Sequence, residues 1–329
     1  MLDLHHILKY DNSPKGTVEA LQEYWDKALF HPWQDIGTRP SKEIRGKMVE
    51  LGWHLGGCPP LESENLLTKI SHIIETLHLG SLIVDDIQDD SLERRGLPTL
   101  HRMHGVPLAL NLGNFLYFQA LSLVRQLNAN EAYQHAAAQK IAETLRDAHL
   151  GQALDVSVAI DEVERAKIPK LVETSLRLKS GALMKLSVQL GALLNPQFKN
   201  WFALDSFGEA FGSCLQKLDD VGNFTVDGLL EKHLEDLKLR RPTWIWSVLA
   251  QTGSEQEWQD FNSAVQALPC RDPLRLFIQS SSLKAKAFEM AVQDLKEVLT
   301  NLKTSFSLQD SCPAFQLTTQ LTERLTNAY

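Results

Sequence analysis

The chain has 329 residues, 43% of them hydrophobic and 22% charged, with a formal net charge of -8; that is the profile of an ordinary globular protein, not of a disordered or membrane-embedded one. The 33 Lys and Arg against 41 Asp and Glu form no basic stripe, which argues against a nucleic-acid partner, because phosphate backbones demand clustered cations. Cys58, Cys214, Cys270 and Cys312 are scattered, with neither a close pair nor zinc-ligand spacing, so reduced thiols in a cytoplasmic protein are expected.

The opening MLDLHHILKYDNSPKG alternates apolar and polar residues, so it does not read as a signal peptide. Helical spacing of apolar residues predicts helices over residues 17–29 and 40–55, ended by the breaker run Gly56-Gly57-Cys58-Pro59-Pro60. From 61 to 84, Leu66, Leu67, Ile70, Ile73, Ile74 and Leu77 mark a buried stripe. Further helices are predicted over 108–127, 131–158, 169–194 and 201–221, and after Pro242 and Pro273, with Pro169 and Pro242 placed as first-turn prolines. Nothing reads as a strand, and no apolar run approaches the roughly 20 residues that span a bilayer. No linker or repeat divides the chain, so the expected fold is all-α: a single domain over residues 1–329, a bundle of about a dozen helices.

Two acidic clusters end apolar helices. Asp85, Asp86, Asp89 and Asp90 follow Ser81-Leu82-Ile83-Val84, and Asp219 and Asp220, with Asn223 one turn on, close the helix that starts near Trp201. Asp85 and Asp89 share a helical face with Asp86 beside them. One such run alone is ordinarily a solvated surface patch, but two of them beside apolar residues call for a cation. Hard oxygen ligands favour magnesium, which binds few carboxylates and completes its shell with phosphate oxygens. A diphosphate held between the clusters follows, with nearby Arg and Lys as clamps.

The blocks DDIQDDSLERRG from Asp85 to Gly96, FGEAFGSCLQKLDD from Phe207 to Asp220, KSGALM from Lys179, GQALD from Gly151 and KEIR from Lys42 together resemble the trans-isoprenyl diphosphate synthases, or polyprenyl synthetases. The resemblance implies the isoprenoid synthase fold, helices around a central active-site cavity, and a homodimer. It implies head-to-tail condensation of isopentenyl diphosphate with an allylic diphosphate. Asp85, Asp86 and Asp89 on one wall and Asp219 and Asp220 on the other would bind magnesium, about three ions with diphosphate present. Lys179, Gln216 and Arg94 would contact the allylic diphosphate, Asp85 and Asp86 acting with Lys179 and Gln216 in catalysis. Lys42, Arg45, His78 and Arg95 would form the isopentenyl diphosphate pocket, and Lys232 would join the substrate-binding set. Gln152 and Asp155 are left without a role.

Departures from the pattern are Asn223 for the third aspartate of the second motif, Gly46 after Arg45, Val84 before Asp85 and Arg241 in place of the usual lysine. They keep open a class I terpene cyclase of the same fold, or a non-catalytic partner subunit. The retained isopentenyl set favours the synthase. Small residues Gly80 and Ser81 one turn below Asp85, with Leu77 deeper and Phe115 and Phe118 as floor candidates on the next helix, predict a twenty-carbon product, since a turn rises about 5.4 Å, close to one isoprene unit.

Overall fold

The computed structural model describes residues 17–39, 44–61, 65–225 and 231–327, the last stretch with side chains from Leu234 onward. The chain starts with α1 (Thr17–Trp25), which passes through a π-helical turn, Asp26–Phe30, into α2 (His31–Gly37). Next come α3 (Ile44–Leu55) and the long α4 (Leu66–Gln88), whose predicted stripe is fully buried at Leu66, Ile70, Ile73, Ile74 and Leu77 and only partly at Leu67. After α4, the strands β1 (Glu93–Arg94) and β2 (Leu97–Pro98) pair antiparallel. This hairpin corrects the strand-free expectation. It is too short to show alternation, and it turns on Arg95 and Gly96 at φ 58° and 77°, a left-handed pair that makes a tight two-residue turn.

A short helix, α5 (Leu100–His104), leads to α6 (Val106–Arg125) and α7 (Glu131–Ser157). Among the described residues α6 is the one helix long and apolar enough to cross a bilayer by length and composition. One face of it packs on α4 through Leu112, Leu116 and Ala120, while Val106, Leu110 and Phe118 are exposed on another. The predicted helix over 169–194 is interrupted: α8 (Ile168–Leu176) widens into a π-helical turn, Arg177–Gly181, before α9 (Ala182–Ala192).

The rest is α10 (Trp201–Asn223), α11 (Glu231–Lys238), α12 (Trp244–Thr252), α13 (Glu255–Gln266), α14 (Asp272–Ser280), α15 (Leu283–Ser305) and α16 (Pro313–Thr326). Met48, Phe211, Trp246 and Phe261 are fully buried anchors of the core. Truncating side chains of this kind costs about 3–5 kcal/mol for the aromatic ones. The helices leave a cavity of about 570 Å³ walled by α3, α4, α7, the π-turn after α8, and α10, and lined also by residues of α11 and of the segment before α12.

Candidate active site

Both acidic clusters face this one cavity, Asp85 and Asp89 from the end of α4 and Asp219, Asp220 and Asn223 from the end of α10. The wide turn between α8 and α9 delivers Lys179 between them. It can approach because its neighbours are glycines: a Cβ on Gly151 of α7 would lie 2.9 Å from the Lys179 backbone nitrogen, and one on Gly212 of α10 would lie 2.5 Å from the Ser180 carbonyl oxygen. Lys179 pairs with Asp155 on α7 and lies 3.7 Å from Asp85.

The carboxylates differ in electrostatic state. Burial pushes the Asp85 carboxyl up, yet Lys179, Arg94, a hydrogen bond from Gln152 (3.0 Å) and Arg241 together hold it below the usual range. Asp89 is raised to about 6 by burial and by Asp85, against Arg241, which donates to it at 2.8 Å. Asp220 is raised to about 7, chiefly by burial. Its partners are neutral: the Trp244 backbone N–H at the start of α12 (2.8 Å) and the Gln216 amide (2.9 Å). Asp236 on α11 is pushed well above the carboxylate range by burial and by Asp220, Asp155 and Asp89.

Asp86 departs from the expectation. Whereas Asp85 and Asp89 face the cavity, Asp86 is 1% exposed and turned away from it, accepting from Arg94 through Nε (2.7 Å) and Nη2. Successive residues on a helix lie about 100° apart, so Asp86 cannot share the face of Asp85 and Asp89. It orients Arg94, whose guanidinium lines the cavity.

A basic wall lies on the other side. Arg45 of α3, His78 of α4, Arg94 and Arg95 all line the cavity. Burial, followed by Arg45, Arg95 and Arg94, drives the His78 imidazole well below its usual value, so it is neutral. Lys42 lies outside the described residues, as does the side chain of Lys232.

An apolar limb runs down from Asp85 past Ser81 and Leu77 to Tyr117 of α6 and Leu145, Ala148 and His149 of α7. Three of the proposed length-setting residues are elsewhere. Gly80 faces α6, where a Cβ would lie 2.9 Å from the Gly113 carbonyl oxygen. Phe115 packs edge-on against Trp33 at 5.9 Å, and Phe118 is 71% exposed. Tyr117 instead lines the limb beside Gly80, set edge-on to His149 at 5.8 Å.

The polyprenyl synthetase family profile matches residues 26–271. The chain belongs to that family. Among curated relatives of this synthetase-family chain, geranylgeranyl pyrophosphate synthase subD of Metarhizium robertsii is 32% identical over 180 residues, which cover 54% of this chain and 49% of that protein. Preasperterpenoid A synthase PvPS of Talaromyces verruculosus is 31% identical over 205 residues, 62% of this chain and 25% of that protein. The chain thus spans about half or less of these relatives' lengths. The crystal structure of geranylgeranyl pyrophosphate synthase from Lactobacillus brevis superposes with a TM-score of 0.75 over 98% of this chain and 99% of that one, at 20% identity, a shared fold.

In this synthetase-family site the structure adds residues to which the sequence assigned no site role. Gln152 and Asp155 reach the aspartates and Lys179 from α7. Arg241, noted only as a departure, donates to Asp89 and to the Asp155 carbonyl oxygen (2.9 Å). Asp236 and Tyr117 were not singled out. Among these, only the GQALD block carried a signal, in its Gly-Gln-x-x-Asp spacing on one helix.

Proposed function

We propose that the chain is a magnesium-dependent trans-prenyltransferase that condenses isopentenyl diphosphate with an allylic diphosphate. The observation that carries this reading is that one cavity presents aspartates from two helices with Lys179 and Arg94 beside them, a further basic set of Arg45, His78 and Arg95, and an apolar limb beneath Asp85. Two diphosphates and one growing hydrocarbon need those three surfaces.

Among the described residues no group of three or more His, Cys, Asp or Glu side chains holds a metal ion by itself. The donor set nevertheless suits magnesium, which takes one or two carboxylates and leaves the remaining positions to water and phosphate. Asp85, Asp89, Asp219 and Asp220 would hold it, and the raised Asp89 and Asp220 would ionise on binding. What magnesium supplies when bound is neutralisation of the departing diphosphate.

Lys179 and Arg94 place fixed positive charge where the allylic carbon–oxygen bond breaks and its electron pair leaves with pyrophosphate. Arg45, Arg95 and neutral His78 orient isopentenyl diphosphate so that its double bond attacks the allylic carbon. The proton then lost from the new chain goes to the pyrophosphate. Ser81, Leu77 and the Tyr117–His149 pair keep the cation away from water and receive the lengthening chain.

Small Ser81 leaves the limb open one turn below Asp85, which supports a twenty-carbon product. The exposed stripe Val106, Leu110 and Phe118 on α6 supports a homodimer through that helix, and the four free cysteines suit the cytoplasm. Product analysis with dimethylallyl, geranyl or farnesyl diphosphate, with and without isopentenyl diphosphate, tests the reading. A linear twenty-carbon diphosphate formed only with isopentenyl diphosphate is expected. A cyclic hydrocarbon from the allylic substrate alone would replace it with a cyclase.

A further inference from the structure

Arg39 has no place in the motifs above and does not line the cavity, yet its side chain is only 2% exposed. A guanidinium taken out of water needs partners for its donors; both terminal nitrogens of Arg39 find them, and Nε has none among the described residues. Nη2 of Arg39 donates to the Asp35 carboxylate at 2.8 Å, which fixes it to α2, and Nη1 donates to the Arg94 carbonyl oxygen at 3.0 Å. The return bond is also made: Nη1 of Arg95 donates to the Arg39 carbonyl oxygen at 3.1 Å. Arg39 therefore grips the chain just before the hairpin turn, and the turn's first residue grips Arg39.

That turn needs holding. Arg95 sits at φ 58°, a left-handed conformation unfavourable for an ordinary L-residue, in a hairpin of two-residue strands that is too small to be stable alone. On it ride Arg94, which faces both Asp86 and Asp85, and Arg95, which faces the cavity beside Arg45 and His78. We infer that Arg39 is a positioning residue, a clamp that fixes the Arg94–Arg95 hairpin so that the basic wall is set for a diphosphate before substrate arrives. Its consequence for isopentenyl diphosphate rests on the function proposed above.

The test compares wild type, Arg39→Met and Arg39→Lys in the full chain. In Arg39→Met the Michaelis constant for isopentenyl diphosphate should rise about tenfold or more, and that for the allylic diphosphate, which Arg94 also meets, should rise by a smaller factor because Lys179 still holds it. Arg39→Lys, which keeps a cation and a donor, should recover part of the loss. Amide hydrogen exchange on the free protein should quicken at residues 93–99 and stay unchanged in α4 and α10. This second measurement needs no turnover, so it decides the clamp even if wild type fails to condense the two substrates. Unchanged exchange at 93–99 overturns the proposal. So does an equal loss for both substrates with faster exchange throughout the chain, the mark of a purely structural arginine.

Discussion

Asp85 and Asp220 lie in the same cavity and both suffer burial, yet Asp85 is held below the ordinary carboxylate range and Asp220 is raised to about 7. The difference is who their neighbours are. Asp85 has Lys179 and Arg94 within 3.7 Å and 3.6 Å. Asp220 has a backbone N–H and an amide, with Asp219 and Asp155 adding repulsion. The chain thus supplies its own countercharge to Asp85 and leaves Asp220 short of it. A deficit of this kind favours a cation brought from outside.

The largest effect should follow from breaking the better-neutralised wall. Asp85→Asn is expected to lower kcat by about two to three orders of magnitude, measured as pyrophosphate release in saturating magnesium; activity within tenfold of wild type would remove Asp85 from the ligand set. Asp86→Asn separates the structure from the motif. Because Asp86 meets Arg94 and not the cavity, its loss should reduce turnover less than Asp85→Asn does, and the magnesium concentration giving half-maximal rate should stay put. A shift in that concentration as large as the one caused by Asp85→Asn would return Asp86 to the metal.

That contrast shows how far the sequence could be read. Helical periodicity exposed the fold because nearly every long element is amphipathic, and the acidic runs were conspicuous because carboxylates rarely follow buried stripes. Spacing within one helix even contained the Asp86 result, since only Asp85 and Asp89 are a turn apart. Side chains on α6 were only partly readable: Asn111, Asn114, Ser122 and Arg125 mark a polar face at helical spacing that includes exposed Phe118, but nothing in the pattern says that Tyr117, one residue back, faces the cavity. Gln152 and Arg241 were visible only as motif positions, Gln152 within GQALD and Arg241 as a departure, with no sign of what they meet. Their partners Asp85 and Asp89 are 67 and 152 residues away, and single polar residues announce no such meeting.

The limb below Asp85 gives the next effect. Ser81→Phe should shift the main product to fifteen carbons or fewer, whereas Tyr117→Ala should lengthen it by one unit, each new CH₂ gaining about 0.8 kcal/mol on burial. Chromatography of the dephosphorylated products decides. A Phe118→Ala variant should leave chain length alone, and a longer product from it would restore the residue to the floor.

The poorly neutralised wall also predicts how stability changes with pH. Unfolded carboxyls titrate at about 4 and unfolded histidines at about 6.5, whereas Asp220 titrates at about 7 in the fold and Asp236 well above its usual range. Between about pH 7 and 8.5 the histidines carry little charge in either state, so the native protein binds more protons than the unfolded chain and its stability falls as pH rises. Thermal midpoints in chelator should therefore decline across that window, and magnesium with pyrophosphate should flatten the decline. A rising midpoint in chelator would mean the aspartates are already neutralised within the chain.

The smallest effect comes from adding charge to the same wall. Asn223 ends α10 and lines the cavity one turn beyond Asp219, where an amide can still offer oxygen to a cation but without a full negative charge. Asn223→Asp places a further carboxylate beside Asp220, which burial and Asp219 already hold at about 7. Without metal that change must cost stability, because like charges in a confined site raise one another's proton affinity. With metal the same repulsion is relieved, so the half-maximal magnesium concentration should fall about three- to tenfold, while kcat stays within about twofold. The two readouts move in opposite senses, a lower thermal midpoint in chelator and a lower magnesium requirement in the assay. If neither moved, Asn223 would be too far from the ion to matter, and the second wall would consist of Asp219 and Asp220 alone.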